Sequence, residues 1–204
     1  NSRIVALSTG NVYPLWPSDS RGPTENDPVG PIGEYAQSCL GRERLMTYMS
    51  NRYRTPLALI RLNYAIDLRY GVLLDIGRKV WEGTPVDLAM GYVNIIWQGD
   101  ANTAVLRTLE HAASPPLVLN LTGLERLSVR EIAQGFADRL GKPVTFTCTE
   151  APTALLSNAQ RYAELLGGPT VPLDRMLDWV AHWLRIGGPT LGKPTKFEVR
   201  NGAF

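Results

Sequence analysis

Arg3-Ile4-Val5-Ala6-Leu7-Ser8-Thr9-Gly10-Asn11-Val12-Tyr13 is the stretch that decides the fold. Ile4 to Leu7 is an unbroken apolar run, the pattern of a strand buried on both faces of a parallel sheet, and Thr9 stands just beyond it. Pro14, Pro17, Pro23, Pro28 and Pro31, set among Gly, Ser and Asp, then predict a long loop over 10–33 that holds no regular structure. Loops of that length inside a compact domain are usually functional or disordered, which makes this one a candidate wall of an active site.

Good helix formers return from about Gly33 to Tyr53, with Tyr35, Cys39, Met46, Met49 and Tyr53 on one broad face. Pro56 follows, and Leu57 to Leu62 reads as a second buried strand, so the order strand, helix, strand implies a parallel crossover. Residues 71–83 read as helix, Val93 to Trp97 as extended, and Ala101 to Ala112 as a helix with Asp100 as its N-cap. Leu117 to Leu121 is a further apolar strand. Ser128-Val129-Arg130-Glu131 forms a capping box ahead of a helix that Gly141 stops. A cap at Ser157 before a helix ended by Gly167, and a last helix through Met176, Leu177, Val180, Trp183 and Leu184, complete the pattern. The tail after Gly187, rich in Gly, Pro and Lys, is expected to lie loosely on the surface.

These elements predict an α/β fold: the C-terminal part of a Rossmann-like parallel sheet with a smaller, helix-rich substrate lobe. The expected divisions are 1–70, a half-domain holding Thr9 and Tyr35; 71–186, a substrate-binding lobe with returning sheet elements; and 187–204, the tail.

Composition excludes several classes. With 204 residues, 44% hydrophobic and 20% charged, the chain resembles ordinary globular domains and can bury a core without staples. Twenty-one Lys and Arg against nineteen Asp and Glu leave a net charge of +2 without blocks of one sign, which does not favour nucleic acid. No run approaches the roughly 18 apolar residues that cross a bilayer, and no signal-peptide pattern is present, so a cytoplasmic protein is expected. Cys39 and Cys148 are too few for a disulfide framework and lack partners at metal-ligand spacing, so no metal is expected. His111 and His182 stand in no triad or metal pattern, and His111 near a helix end suits the dipole. Asn120-Leu121-Thr122 matches a glycosylation acceptor, a three-residue match of little weight. There is no Gly-x-Ser-x-Gly or phosphate-loop pattern, which counts against a serine hydrolase or NTPase.

Leu7-Ser8-Thr9-Gly10-Asn11-Val12-Tyr13, followed after the loop by Tyr35-Ala36-Gln37-Ser38-Cys39, resembles the extended short-chain dehydrogenase/reductase family of nucleotide-sugar epimerases and dehydratases. There a strand ending in Ser/Thr, then Val-Tyr, precedes a Tyr-x-x-x-Lys helix. Similarity runs over about residues 3–185, and Tyr92 to Asp100 continues it. The resemblance implies Thr9 and Tyr35 as catalytic residues, and Leu7, Ser8, Tyr35, Cys39 and Leu62 against the cofactor. Gly10, Asn11, Asn63 and Arg69 would meet the substrate; Arg61-Leu62-Asn63-Tyr64 carries its Asn one place earlier than the family pattern. Arg69, beside Tyr70, would suit a diphosphate.

The family's lysine is missing, and Cys39 stands in its place. Tyrosine has an unperturbed pKa of about 10, so a proton-transferring tyrosine needs a neighbour that favours the phenolate. A thiol is neutral at its usual pKa of about 8.5 and shorter than lysine. Three readings stay open: a loss in a non-catalytic or atypical member, a sequence-level change, or a Tyr35 with no catalytic part. Arg42 or Arg44 as a stand-in cation lies at poorer spacing.

The resemblance further implies NAD or NADP as cofactor, a nucleotide sugar or similar polyol as substrate, and a homodimer built on the Tyr-bearing helix. The alternative is a binding or regulatory member that keeps the fold without turnover. A Gly-x-x-Gly-x-x-Gly turn, which would admit the pyrophosphate to a helix N-terminus, does not occur in these residues. The 204 residues alone are therefore expected to bind no dinucleotide and to be inactive, with a segment of about 10 kDa upstream in the intact protein.

Overall fold

The structure, a computed structural model that describes residues 2–203, has an α/β architecture around a parallel sheet. Asn1 and Phe204, the outermost residues of the first and last expected divisions, lie outside the described residues. The central sheet has three parallel strands, β1 (Ile4–Thr9), β2 (Leu57–Leu62) and β3 (Leu117–Leu121), in the order β1-β2-β3. Leu7 pairs with Ile60 and Ile60 with Leu119, so the carboxyl ends of all three strands open on one edge.

Side chains alternate across this sheet as the strand period of two requires. Ile60, Leu119 and Leu121 pack under α3 (Gln98–Arg107) and α5 (Gln160–Leu166). Arg61 points to the opposite face, where α1 (Glu34–Tyr53) covers the sheet and Glu43 receives the guanidinium at 2.8 Å.

A second core joins α2 (Val72–Glu82), α4 (Val129–Leu140) and α6 (Leu173–Arg185). Phe136 and Val180 are fully buried there. Gly77 lets the three helices meet, since a Cβ at that position would lie 3.0 Å from Leu184 Cδ1 and 3.2 Å from Phe136 Cε1. The Ser128 cap and the Gly141 stop of α4 are both present, with Glu131 N donating to Ser128 Oγ at 3.3 Å.

Six expectations need correction. β1 is an edge strand rather than one buried on both faces, with Ile4 39% and Leu7 51% exposed. The buried stripe of α1 is Ala36, Cys39, Leu40, Glu43 and Ser50, while Tyr35, Met49 and Tyr53 face out. Polar partners set that rotation, because Arg61 draws Glu43 inward and Ser50 Oγ donates to Thr55 O at 2.7 Å. The proline-rich segment does carry regular structure: a 3-10 turn at Gly10–Val12, and a strand at Trp16–Pro17 paired antiparallel with Thr153–Ala154. Asp100 lies inside the first turn of α3 and not at its N-cap; its carboxylate accepts from Thr170 N and Val171 N instead. Asn158, not Ser157, serves the start of α5, accepting from Gln160 N at 2.9 Å. The tail is no loose cover, since Phe197 is 1% exposed within the helical core.

Asn120 is fully buried, with its Nδ2 donating to Pro23 O and Asn158 O, so the folded protein offers no glycosylation acceptor there. His111 does end a 3-10 turn, Thr108–His111, that extends α3.

Removing one member of the buried pair leaves the other charge uncompensated, at a cost of about 3–5 kcal/mol. Glu43→Ala is expected to lower unfolding stability by about that amount in a urea titration, and Glu43→Leu/Arg61→Met by clearly less.

Candidate functional site

Ligands in open α/β sheets bind outside the carboxyl ends of the strands, and a cavity of about 500 Å³ lies there. β1 delivers Ser8 and Thr9, β2 delivers Leu62 and then Asn63, and the first turn of α1 delivers Tyr35. Asn11 comes from the 3-10 turn. Six of the residues expected from the sequence thus line one cavity.

Thr9 caps that turn, its Oγ1 accepting from Asn11 N at 3.2 Å, and its side chain is also hydrogen-bonded to Tyr35. Gly10 lies behind the wall rather than in it: a Cβ there would fall 2.9 Å from Asn63 Cβ, so only glycine lets the turn close against β2. Two buried polar atoms of the cavity, Ser8 Oγ and Asn63 Nδ2, have no hydrogen-bond partner among the described residues. Leaving such groups unpaired costs about 1–3 kcal/mol each, and a bound polar ligand can recover it.

Leu7, Cys39 and Arg69 are not brought to the cavity. Leu7 is half-exposed on the sheet edge, and Cys39 is buried beside Val12, Tyr13 and Leu40. Arg69 turns to solvent and binds Asp67, whose carboxyl its hydrogen bond holds below the usual range.

Other lining residues escaped the sequence reading. Tyr64 and Tyr70 flank the turn into α2, Gln98 opens α3, and Thr195 and Phe197 come from the tail. Tyr64 carries a signal visible only in the backbone, a φ of 42° in a non-glycine residue. Burial pushes its phenol well up.

The electrostatics of Tyr35 differ from those of an activated phenol. Burial raises its pKa and Cys39 raises it further, while the Thr9 hydrogen bond and the charge of Arg42 act weakly the other way. Arg42 is one turn beyond Cys39, and its Nη2 donates to Cys39 Sγ at 3.5 Å. Tyr35 is therefore a phenol at neutral pH, able to give a proton and not to take one. Among the described residues no cluster of His, Cys, Asp and Glu is placed to hold a metal ion, and no helix is long and apolar enough to cross a membrane.

No protein-family model and no curated protein matches the chain. Solved structures do. The dTDP-glucose 4,6-dehydratase of Bacillus anthracis in complex with NAD superposes with a TM-score of 0.76 at 18% identity, over 90% of this chain and 62% of that one. UDP-glucuronic acid 4-epimerase of Bacillus cereus with NAD gives 0.74 at 18% identity, over 89% and 59%. A short-chain dehydrogenase/reductase superfamily protein of Agrobacterium tumefaciens with bound NAD gives 0.75 at 19%, over 91% and 67%. The chain shares the Rossmann-like α/β fold of these structures. It spans about 60% of the length of the epimerase and dehydratase structures. Within that fold the cavity at the strand ends is the candidate site.

The balance at Tyr35 makes a titration prediction. With tyrosine ring carbons labelled and the Tyr35 signal assigned by Tyr35→Phe, NMR is expected to find its pKa above 10. Arg42→Ala is expected to raise it further, and Cys39→Lys to lower it, because a cation one helical turn away favours the phenolate.

Proposed function

We propose that the intact protein is an NAD(P)-dependent oxidoreductase of the epimerase/dehydratase type acting on a nucleotide sugar or a similar polyol. The observation that carries this reading is the hydrogen-bonded pair of Thr9 and Tyr35 on a cavity that also holds the unpartnered buried groups of Ser8 and Asn63. The dehydratase and epimerase of the same fold, crystallised with NAD, support it.

The residues present fit the nicotinamide end of such a cofactor: Ser8 and Leu62 at the strand ends offer a wall for a planar ring, and Tyr35 stands beside it. Bound NAD(P) would supply hydride chemistry. Thr9 Oγ1 holds the reacting oxygen of the substrate, Tyr35 Oη exchanges a proton with it, and Asn63 Nδ2 donates to a substrate oxygen. Because Tyr35 is held as a phenol, it suits reduction of a carbonyl, where the acid form is needed, more than oxidation of an alcohol. Tyr13 is not a rival, since its hydroxyl is buried and committed to Arg61 and Asn120.

A second reading has its own observation. Cys39 in the lysine position and the raised pKa of Tyr35 favour a member that binds its nucleotide ligand without turning it over. For either reading we infer a homodimer through the outer face of α1, where Leu45, Tyr48, Met49 and Tyr53 are exposed. A cytoplasmic setting accords with the two free thiols.

The test uses the full-length protein. Calorimetry with NAD, NADP, UDP-glucose and dTDP-glucose is followed by turnover assays on whichever pair binds. Tyr35→Phe is expected to lower kcat by about 10²–10⁴-fold with ligand affinity nearly unchanged. The oxidative rate is expected to rise with pH to beyond pH 10 as the phenol ionises, and Cys39→Lys to move that rise to lower pH. Binding without turnover, with activity gained in Cys39→Lys, selects the second reading. A chain that binds none of these ligands sinks both.

A further inference from the structure

The end of the chain belongs to the cavity. After α6 the backbone turns back, and Leu191 N donates to Arg69 O at 3.0 Å. Lys193 Nζ then lies 5.1 Å from the centre of the Tyr70 ring. Thr195 is held twice by one carboxylate oxygen, its N and Oγ1 each 2.7 Å from Asp75 Oδ2. Phe197 is sunk in the core of α2, α4 and α6. Glu198 pairs with Lys79, and Arg200 donates to Ala89 O at 3.0 Å and Thr153 O at 2.7 Å. Gly202 finally closes on Gly33, the N-cap of the helix that carries Tyr35.

A stretch with Gly188, Pro189, Gly192 and Pro194 would ordinarily stay mobile, because ordering each residue costs about 1–2 kcal/mol of backbone entropy. This one is anchored at every second or third residue, from the first turn of α2 to the start of α1. Two of its residues, Thr195 and the buried Phe197 behind it, border the same cavity as Thr9 and Tyr35.

We propose that Leu191–Ala203 is a fixed specificity wall of the pocket, in which Thr195, held in place by the buried Phe197 behind it, decides which sugar group is admitted. Tyr64 and Tyr70 offer apolar ring surface to the C–H face of a pyranose, and the buried Phe197 ring backs the wall from the helical core. The Thr195 hydroxyl gives its proton to Asp75 and accepts from Phe197 N at 3.3 Å, which leaves one acceptor lone pair, so it selects a ligand that presents a hydroxyl donor there. Asp75 itself is not among the residues that line the cavity, and its Oδ2 is taken by the two Thr195 bonds. Only the identity of the ligand, a nucleotide sugar, rests on the function proposed above.

Two measurements on the full-length protein test the wall. In the first, Ala65→Cys places a thiol in the cavity lining of a Cys148→Ser background, and its labelling is timed with a small and a bulky methanethiosulfonate. The wall is expected to exclude the bulky reagent, and Phe197→Ala to admit it severalfold faster with the small reagent unaffected; Phe197→Leu serves if Phe197→Ala does not fold. Equal rates with and without the ring overturn the proposal. In the second, calorimetry compares UDP-glucose with UDP. Thr195→Val is expected to weaken UDP-glucose by about 10-fold or more and leave UDP unchanged, with Thr195→Ser restoring the difference, as a lost hydroxyl contact predicts. Parallel loss for both ligands, or none, overturns the role of Thr195. If the wild-type protein binds neither ligand, the nucleotide-sugar reading falls, and reagent size alone decides whether the tail is a wall.

Discussion

A buried ion pair organises this molecule. Arg61, on the middle strand, donates to Glu43 on α1 through Nε and Nη2 and to Tyr13 Oη through Nη1 at 2.7 Å. Two charges taken out of water cost several kcal/mol each unless their remaining hydrogen-bonding capacity is filled, and here it is filled in three directions. The Tyr13 ring also lies under the guanidinium, 5.0 Å away. Its hydroxyl donates to Asn120 Oδ1 at 2.9 Å, and Asn120 binds the backbone at Pro23 and Asn158. One network therefore ties the helix, the proline-rich segment, the outer strand and the entry to α5 to a single guanidinium. The geometry of the site follows from it. Drawing Glu43 inward fixes the rotation of α1, which in turn buries Cys39 and leaves Tyr35 at the cavity mouth beside Thr9. Pinning Tyr13 holds the 3-10 turn that presents Asn11.

The same rotation explains the unusual electrostatics. Position 39 is turned into the packing around Val12 and Tyr13, so the sulfur there supplies no positive charge to favour a phenolate. The cation lies a turn further along, where Arg42 reaches back only as far as the sulfur at 3.5 Å. Coulombic help falls with distance and with exposure to water, which is why Arg42 offsets burial at Tyr35 without overcoming it.

The sequence made the local features legible and left the remote ones hidden. Short apolar runs marked the three strands, and Ser128 and Gly141 marked the ends of α4, because strand period and helix capping are written in adjacent residues. Thr9, Tyr35 and Asn63 came from the family resemblance, and the structure brings all three to one cavity. The buried face of α1 was not legible. Its apolar residues form a stripe, but the face that packs holds Glu43 and Ser50, whose partners are Arg61 and Thr55 O. Composition also misjudged the tail: Gly and Pro describe an isolated segment, whereas Phe197, Thr195 and Arg200 find partners more than forty residues away.

Tyr64 shows how the site and the strain belong together. β2 ends at Leu62, Asn63 N bonds Leu121 O at 3.0 Å, and the next residue takes a left-handed φ of 42° before Ala65–Ile66 pairs with Ile96–Trp97. A bulky residue in that conformation costs on the order of 1–3 kcal/mol and survives only where its surroundings over-determine it. Here the constraints are the ladder bond before it, the short strand after it, and the partial burial of its own ring against the helical core. The sharp turn is what leaves Asn63 at the strand end with its amide unpaired on the cavity, against a Gly10 that has no side chain to block it. Backbone strain at Tyr64 and an unsatisfied donor at Asn63 are two costs borne at adjacent residues. Each makes physical sense if the donor is reserved for something that enters from solvent.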